Sequence, residues 1–372
     1  MYLQWNKGYG DKMEQFKLMK GNEAIAEAAL RAGCRFYAGY PITPQSEILE
    51  YMSANMQKWG GTFIQGESEI ASMSMLWGAA ACGERVMTSS SGPGYDLKQE
   101  GISYMASYNL PGVIADVMRY GVGDGEITEG QDSYWIATRG GGHGDSRQIV
   151  LTPASVQECA ELTYEAFDLA EKYRTVVIIL SDGGISQMIE KVVLPPAKEH
   201  DKSKFDWAIK GYKSLDEPKV KVTNLDRSMD YAEYDSMMRN KFSQMHRAEQ
   251  RWENFMTDDA ELVLVAYGIS SRVCKSAVRR ARQAGIKLGL LRPISVWPFP
   301  AKAFDQLPAS VRALVTVEMS LSAQMAQDVL LSTKFSLPVY SYLTSKYVPT
   351  TQGVADYCKS VLAGDEKELE VY

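Results

Sequence analysis

The sequence predicts two α/β domains of unequal size, each a parallel sheet covered by helices, and three observations predict it. The first is length: 372 residues exceed a typical single domain of about 100–200 residues. The second is the texture of the apolar runs at 35–40, 85–88, 112–118, 147–151 and 175–181. They are apolar throughout instead of alternating, which marks strands buried on both faces. The third is what separates them, helix-length stretches with apolar residues at helical spacing.

Residues 1–16 form a polar N-terminal extension, with Lys7, Asp11, Lys12 and Glu14 where a signal peptide would carry its apolar core. From 17 to 190 strands and helices alternate as a first domain. The stretch 22–32 reads as a helix stopped by Gly33, a natural C-cap. TFIQ at 62–65 runs into an apolar, small-residue helix. The helix at 155–173 opens with Ser155 and Glu158 at capping-box spacing. It places Val156, Leu162, Ala166, Phe167 and Ala170 on one face. From 191 to 257 the character changes: Lys and Pro accumulate up to 223, and 226–256 is charged, helical in pattern and free of Gly and Pro. A solvated connector and an arm that packs on a partner chain both fit this linker and helix. A second domain at 258–372 carries strands at 262–268, 287–291, 313–318 and 337–342, and a helix at 270–283 ending at Gly285.

Composition excludes several classes of function. A net charge of −6 argues against nucleic-acid binding, which rewards dense basic patches. No apolar run approaches the roughly 20 residues of a membrane span. The five cysteines stand singly at 34, 82, 159, 274 and 358, so neither a zinc site nor an iron–sulfur cluster is expected in this chain. Isolated cysteines suit a reducing compartment, and the expected location is cytoplasmic.

In an open parallel sheet, ligands sit beyond the carboxyl ends of the strands, and the residues there are unusual. After 35–40 comes YPITP (40–44), whose prolines stiffen the turn around the Thr43 hydroxyl; Thr43 also reads as a cap for a helix at 46–52. After 62–65 comes GESE (66–69). Glu67 fits a first-turn surface acid. Glu69 stands one step further in, beside Ile70 and Ala71, where burial is expected and proton chemistry follows from it. SSSGPGY (89–95) is small and glycine-rich, allowing close approach of a ligand, but lacks the Gly-Lys-Ser/Thr of a phosphate loop. Arg119 ends the strand at 112–118, where it can grip a carboxylate or phosphate, and Tyr-Gly-Val-Gly-Asp-Gly follows at 120–125. A third glycine cluster at 139–145 carries His143, which is either a ligand contact or a local turn residue.

Four of these segments, in this order, resemble one family. They are GYPITPQSEI (39–48), GESEIASMSM (66–75), MTSSSGPGYDLKQEGI (87–102) and the long run from RGGGHGDSRQIV to IILSDG (139–183). Together they resemble the alpha subunit of 2-oxoacid:ferredoxin oxidoreductases. SQM at 186–188 and RGGGHGD bring the branched-chain, 2-oxoisovalerate type nearest. The resemblance implies a thiamine-diphosphate-enzyme pyrimidine-type domain followed by a transketolase C-terminal-like α/β domain. It implies oxidative decarboxylation of a 2-oxoacid with coenzyme A to acyl-CoA, CO2 and reduced ferredoxin. Pyruvate, an aryl 2-oxoacid or oxalate are alternative substrates, and a non-catalytic scaffold is the alternative of a different class. The thiamine diphosphate would be shared with a beta subunit that binds its diphosphate and Mg2+. Gamma and ferredoxin-like delta subunits would be further partners, with [4Fe-4S] clusters in partner chains and not in this one. Gly123-Asp124-Gly125 superficially matches a diphosphate motif, but no Asn-Asn follows. The resemblance gives Glu69 to the pyrimidine N1′ and Ser91 and Gly92 to the cofactor. Thr43, Arg119 and His143 fall to the substrate, with Arg119 near the substrate or coenzyme A.

Two departures bear on specificity. Relatives that act on 2-oxoglutarate tend to read Gly-Pro-Ser-Thr-Gly after the arginine, hydroxyls that 120–125 lacks. In the second domain Glu318 and Gln324 match the family, while Ser320 and Ala323 do not, so that loop belongs either to an interface or to the ligand.

Overall fold

The computed structural model describes residues 16–211 and 230–369; residues 1–15, and with them most of the N-terminal extension, lie outside the described residues. Its larger sheet has seven strands in the order Ser295–Trp297, Ile149–Leu151, Val176–Asp182, Gly112–Met118, Val86–Ser90, Phe36–Gly39, Thr62–Gln65. All neighbours are parallel except the first pair. Each carboxyl end in the parallel set therefore opens on the same edge, where Thr43, Ser91 and Arg119 follow their strands.

The uniform apolarity of the strands is explained by burial on two sides. In Gly112–Met118 the odd residues Val113, Ala115 and Val117 face helices Gly21–Arg31 and Val156–Tyr173. The even residues Ile114 and Met118 face helices Glu69–Ala81 and Gln99–Ser107. Side chains alternate between faces along a strand, so these two sets fill separate cores.

A smaller sheet orders Val339–Leu343, Ala313–Glu318, Leu262–Val265, Leu288–Pro293 and Trp252–Phe255. Helices Gly268–Gln283 and Thr351–Ala363 cover one face. Its other face, through Val263, Val265, Leu291 and Leu314, joins the same apolar cluster as Ile114 and Met118. The two α/β units thus share a continuous interior.

Four strands fall outside the sequence reading. Phe16–Lys20 and Ile189–Val193 pair antiparallel with each other as a separate two-stranded sheet. Trp252–Phe255, read as the end of a charged helix, pairs antiparallel with Leu288–Pro293 and closes the second sheet; the helix itself runs Tyr231–Ala248. Ser295–Trp297, from the second series, extends the first sheet beside Ile149–Leu151. Short edge strands completed by a distant segment leave no periodic signal of their own. The described connector also packs on its own chain. Lys241 Nζ donates to Asn109 Oδ1 at 2.6 Å, and Glu249 accepts from Lys172 Nζ (2.8 Å) and Tyr173 Oη (2.6 Å).

Asp182 joins the two units. Its Oδ1 caps the short helix Gly183–Gln187 by accepting from Ile185 N at 2.9 Å, and its Oδ2 accepts from Ile269 N at 2.7 Å, in the first turn of Gly268–Gln283. Gly268 must be glycine: its φ is +56°, and a Cβ there would stand 2.1 Å from Asp182 Oδ2. Gln131 completes the seam, donating its backbone N–H to Met319 O (2.7 Å) and its Nε2 to Tyr267 O (3.2 Å). Asp182→Ala removes two charged acceptors from buried N–H groups at once. It is expected to lower unfolding stability by about 2 kcal/mol, read by chemical denaturation; an unchanged midpoint would show the seam does not depend on this carboxylate.

Candidate active site

The carboxyl ends of Phe36–Gly39, Val86–Ser90 and Gly112–Met118 bring most of the predicted site residues together. Glu69 begins helix Glu69–Ala81, whose N-cap Ser68 accepts from Ala71 N at 3.1 Å. That cap turns Glu67 outward and Glu69 inward: Glu67 is exposed and Glu69 is 5% exposed. Among the described residues the Glu69 carboxylate forms no hydrogen bond or ion pair. Facing it is Gly94, where a Cβ would lie 2.3 Å from Glu69 Oε1 and 2.5 Å from Ser90 Oγ. Only glycine lets the Glu69 carboxylate and the Ser90 hydroxyl come this close to the backbone.

Ser91 is the N-cap of helix Gly92–Leu97 and is fully buried. Its hydroxyl and that of Ser90 have no hydrogen-bond partner among the described residues. Buried hydroxyls without partners are rare and usually await one. Gly92 has φ +47°, and its missing Cβ makes room for Arg119, whose Nε would stand 2.9 Å away.

Arg119 is 8% exposed and bound on two sides. Its Nη1 donates to the Thr43 carbonyl at 3.1 Å; its Nη2 donates to Asp124 O at 2.5 Å and Asp124 Oδ1 at 3.0 Å. The structure thus links Thr43, Gly92 and Arg119 directly. Thr43 is exposed, and helix Ser46–Asn55 takes its N-cap from Gln45 without a side-chain bond, so the capping role read for Thr43 does not form. Thr43 instead lines a cleft of about 320 Å³ with Pro44, Glu47, Thr128, Glu129 and Gly183. Burial raises the Glu129 pKa.

His143 is not part of this cluster. It is exposed on the loop that packs against helix Gln99–Ser107, where Gly141 N donates to Gln99 Oε1 at 3.0 Å and Gly142 lies against Ser103. The glycines let the loop approach a helix, which accounts for RGGGHGD without a ligand.

Three groups escaped sequence reading. Lys98 is fully buried and donates to Thr88 Oγ1 at 3.1 Å; burial brings its pKa down to about 8, against the attraction of Glu69. Asp116 is fully buried, neither oxygen has a hydrogen-bond partner among the described residues, and burial carries its pKa up to about 8. Tyr95, on the same face, has an unpaired hydroxyl and a pKa raised by burial and by Asp116. An acid inside the otherwise apolar GVIADVM was the available signal for Asp116.

The second-unit loop belongs to the interface. Gln324 Oε1 accepts from Trp135 N (2.8 Å) and its Nε2 donates to Asp132 O (3.0 Å), while Glu318 Oε2 accepts from Met325 N (2.7 Å). Burial lifts the Glu318 pKa to about 7.

Known proteins share this plan. Residues 27–257 match the family model described as pyruvate flavodoxin/ferredoxin oxidoreductase, thiamine diphosphate-binding, and 260–351 match pyruvate:ferredoxin oxidoreductase core domain II. A ketoisovalerate oxidoreductase subunit (VorB) of Methanothermobacter marburgensis is 48% identical over 314 residues, spanning 84% of this chain and 88% of that protein. The chain belongs to the 2-oxoacid:ferredoxin oxidoreductase family. A 2-oxoglutarate synthase subunit (KorA) of the same organism is 36% identical over 346 residues, spanning 85% of this chain and 91% of that one. A solved structure, 2-oxoglutarate:ferredoxin oxidoreductase from Magnetococcus marinus with 2-oxoglutarate, coenzyme A and succinyl-CoA bound, has TM-score 0.83 at 24% identity. It covers 95% of this chain, which spans 66% of that one. The fold is therefore the thiamine-diphosphate-enzyme pyrimidine-type domain followed by a transketolase C-terminal-like unit. These curated relatives are named as subunits, so the oxidoreductase has partner subunits. No described helix is long and apolar enough to cross a membrane, and no group of His, Cys, Asp or Glu among the described residues could hold a metal ion.

The residues of this 2-oxoacid oxidoreductase subunit fit an aminopyrimidine. The ring needs a carboxylate acceptor, small neighbours and hydrogen-bonding hydroxyls, and Glu69, the bare Gly94 and the unpartnered Ser90 and Ser91 supply them.

Proposed function

We propose that this chain is the alpha subunit of a branched-chain 2-oxoacid:ferredoxin oxidoreductase, converting a 2-oxoacid and coenzyme A to acyl-CoA and CO2 with electrons passed to ferredoxin. The observation that carries it is Glu69, a buried carboxylate with no hydrogen bond or ion pair among the described residues, set against Gly94 and beside the unpartnered hydroxyl of Ser90. Bound thiamine diphosphate would supply the electron sink that lets a carboxylate leave as CO2. Glu69 holds and releases the proton at the pyrimidine N1′. Ser91 and Gly92 line the ring's edge, and Thr43 and Arg119 receive the substrate carboxylate at the mouth of the cleft. Direct contact of His143 with substrate finds no support in its position. The diphosphate, its Mg2+ and the [4Fe-4S] clusters belong to partner beta, gamma and ferredoxin-like delta subunits in the cytoplasm.

The substrate assignment rests on the 48% identity to a ketoisovalerate oxidoreductase subunit and on the absence of serine and threonine hydroxyls at 120–125. Steady-state assay of the purified complex against a panel of 2-oxoacids tests it. The highest kcat/KM is expected for 2-oxoisovalerate and its branched homologues. Preference for 2-oxoglutarate, pyruvate, an aryl 2-oxoacid or oxalate would overturn it.

A further inference from the structure

Two oppositely charged groups are buried in one wall of the site, and neither forms an ion pair among the described residues. Lys98 is 0% exposed and Glu69 5%. The Lys98 ammonium, with three donors, makes one hydrogen bond among the described residues, to the neutral Thr88 Oγ1 at 3.1 Å. A cation buried on those terms needs a counter-charge.

The local geometry places that counter-charge. Helix Gly92–Leu97 lies against Glu69: a Cβ on Gly94 would stand 2.3 Å from Glu69 Oε1 and 2.5 Å from Ser90 Oγ. Lys98 comes one turn later, still in right-handed helical conformation, with its N–H bonded to Tyr95 O at 3.1 Å. Thr88 and Ser90 stand two residues apart on one face of strand Val86–Ser90. The chain therefore runs back along the strand, with Gly94 and Glu69 beside Ser90 and Lys98 beside Thr88. Two strand residues span roughly 7 Å, too long for a hydrogen bond and short enough for strong attraction in a water-poor interior. Glu69 is also the charged group whose attraction opposes the burial of Lys98.

The other ionisable groups on the surrounding elements do not fill this role. Glu67, Asp96 and Glu100 are exposed. Asp116 is held toward its neutral form by burial, and Tyr95 by burial and by Asp116. Tyr37 bonds Ser89 at 2.6 Å, on the opposite face of the strand from Ser90. Arg119 is engaged by Asp124 and by the Thr43 carbonyl.

From this arrangement, and resting on the role proposed for Glu69 at the pyrimidine N1′, we infer that Lys98 is a positioning residue for the proton chemistry: it is the buried counter-charge of the Glu69 carboxylate and sets the pH range over which Glu69 takes up and gives back a proton. Removing the cation leaves a carboxylate alone in a buried site, which favours its protonated form. More alkaline solution is then needed to free it. Lys98 does not line the cleft beside Thr43, so substrate binding should not depend on it.

The test uses the complete complex with Lys98→Met, which keeps the length, Lys98→Gln, which keeps a donor for Thr88, and Lys98→Arg, which keeps the charge. In the pH profile of kcat, the acid limb is expected about one pH unit higher in the Met and Gln variants, a roughly tenfold lower kcat on that limb. KM for 2-oxoisovalerate and coenzyme A should stay unchanged, and Arg should restore the original profile. A second measurement does not depend on turnover. Calorimetric titration of thiamine diphosphate into the cofactor-free complex, in two buffers of different ionisation enthalpy, counts the protons taken up on binding. At the pH of the displaced limb this uptake is expected to fall in the Met and Gln variants and to return with Arg, because Glu69 without its counter-charge already holds the proton. An unchanged profile and unchanged proton uptake in both neutral variants would overturn the inference, as would failure of both to assemble, which would make Lys98 a packing residue. The two claims fail separately. If Glu69→Gln leaves kcat intact, the reading of Glu69 itself fails; if Glu69→Gln abolishes turnover while the Lys98 variants keep the original profile and proton uptake, only the role of Lys98 fails.

Discussion

Glu69→Gln is expected to lower kcat of the assembled complex roughly a thousandfold, the scale of a lost acid–base group, while leaving assembly and thermal stability near their original values. The amide matches the carboxylate in shape but cannot take up the proton. Stability should survive because the Glu69 carboxylate forms no hydrogen bond or ion pair among the described residues, so little native structure depends on it. The nearest loss is electrostatic: buried Lys98 would no longer have a carboxylate favouring its charged form. Steady-state kinetics together with size-exclusion chromatography and a melting curve would read all of this. A variant complex with the original kcat would exclude Glu69 from the chemistry and favour the scaffold reading of this chain. A complex that fails to assemble would instead make Glu69 a packing residue.

The contrast between Glu67 and Glu69 shows how far sequence reaches. Two acids separated by one serine cannot share an environment at a helix start, and the apolar run after Glu69 said which would be buried. The parallel sheet was legible for the same reason, since burial on both faces writes apolar strands. Arg119 and Thr43 were legible because strand ends in such sheets are where ligands bind. What was not legible depends on pairing across the chain. Lys98 sits in YDLKQEG, which reads as a solvated helix turn; it is buried because Thr88 and the Glu69 helix close over it. Asp124 looked like part of a coincidental Gly-Asp-Gly, and only the hairpin geometry turns it onto Arg119. His143 shows the converse: a histidine among glycines suggests chemistry, whereas the glycines serve a helix contact.

Asp116→Asn is expected to stabilise the protein at pH 8 and above by several kcal/mol relative to its effect near pH 4. The acid lies in strand Gly112–Met118, in register with Ser90, fully buried and with neither oxygen hydrogen-bonded among the described residues. Burial, reinforced by the like charge of Asp96 and partly offset by Ser133, raises its pKa from 3.8 to about 8. In the unfolded chain it ionises near its ordinary value. Below that value both states hold the proton, and the side chain costs no charge burial. Between the two values the folded protein holds a proton that the unfolded chain has released, so its contribution to stability falls as pH rises. Above about pH 8 the penalty is complete and constant. One proton over about four pH units, at roughly 1.4 kcal/mol per unit, sets the scale. Asn carries no titrating proton, so the stability difference between variant and original should climb from about pH 4 to 8 and then level off. Denaturation at pH 5, 6.5, 8 and 9 measures it; a pH-independent difference would show that Asp116 is not a protonated acid in the fold. The consequence reaches the site. A protonated Asp116 adds no negative charge to the face that carries Ser90 and Glu69, so the proton chemistry there can centre on one carboxylate.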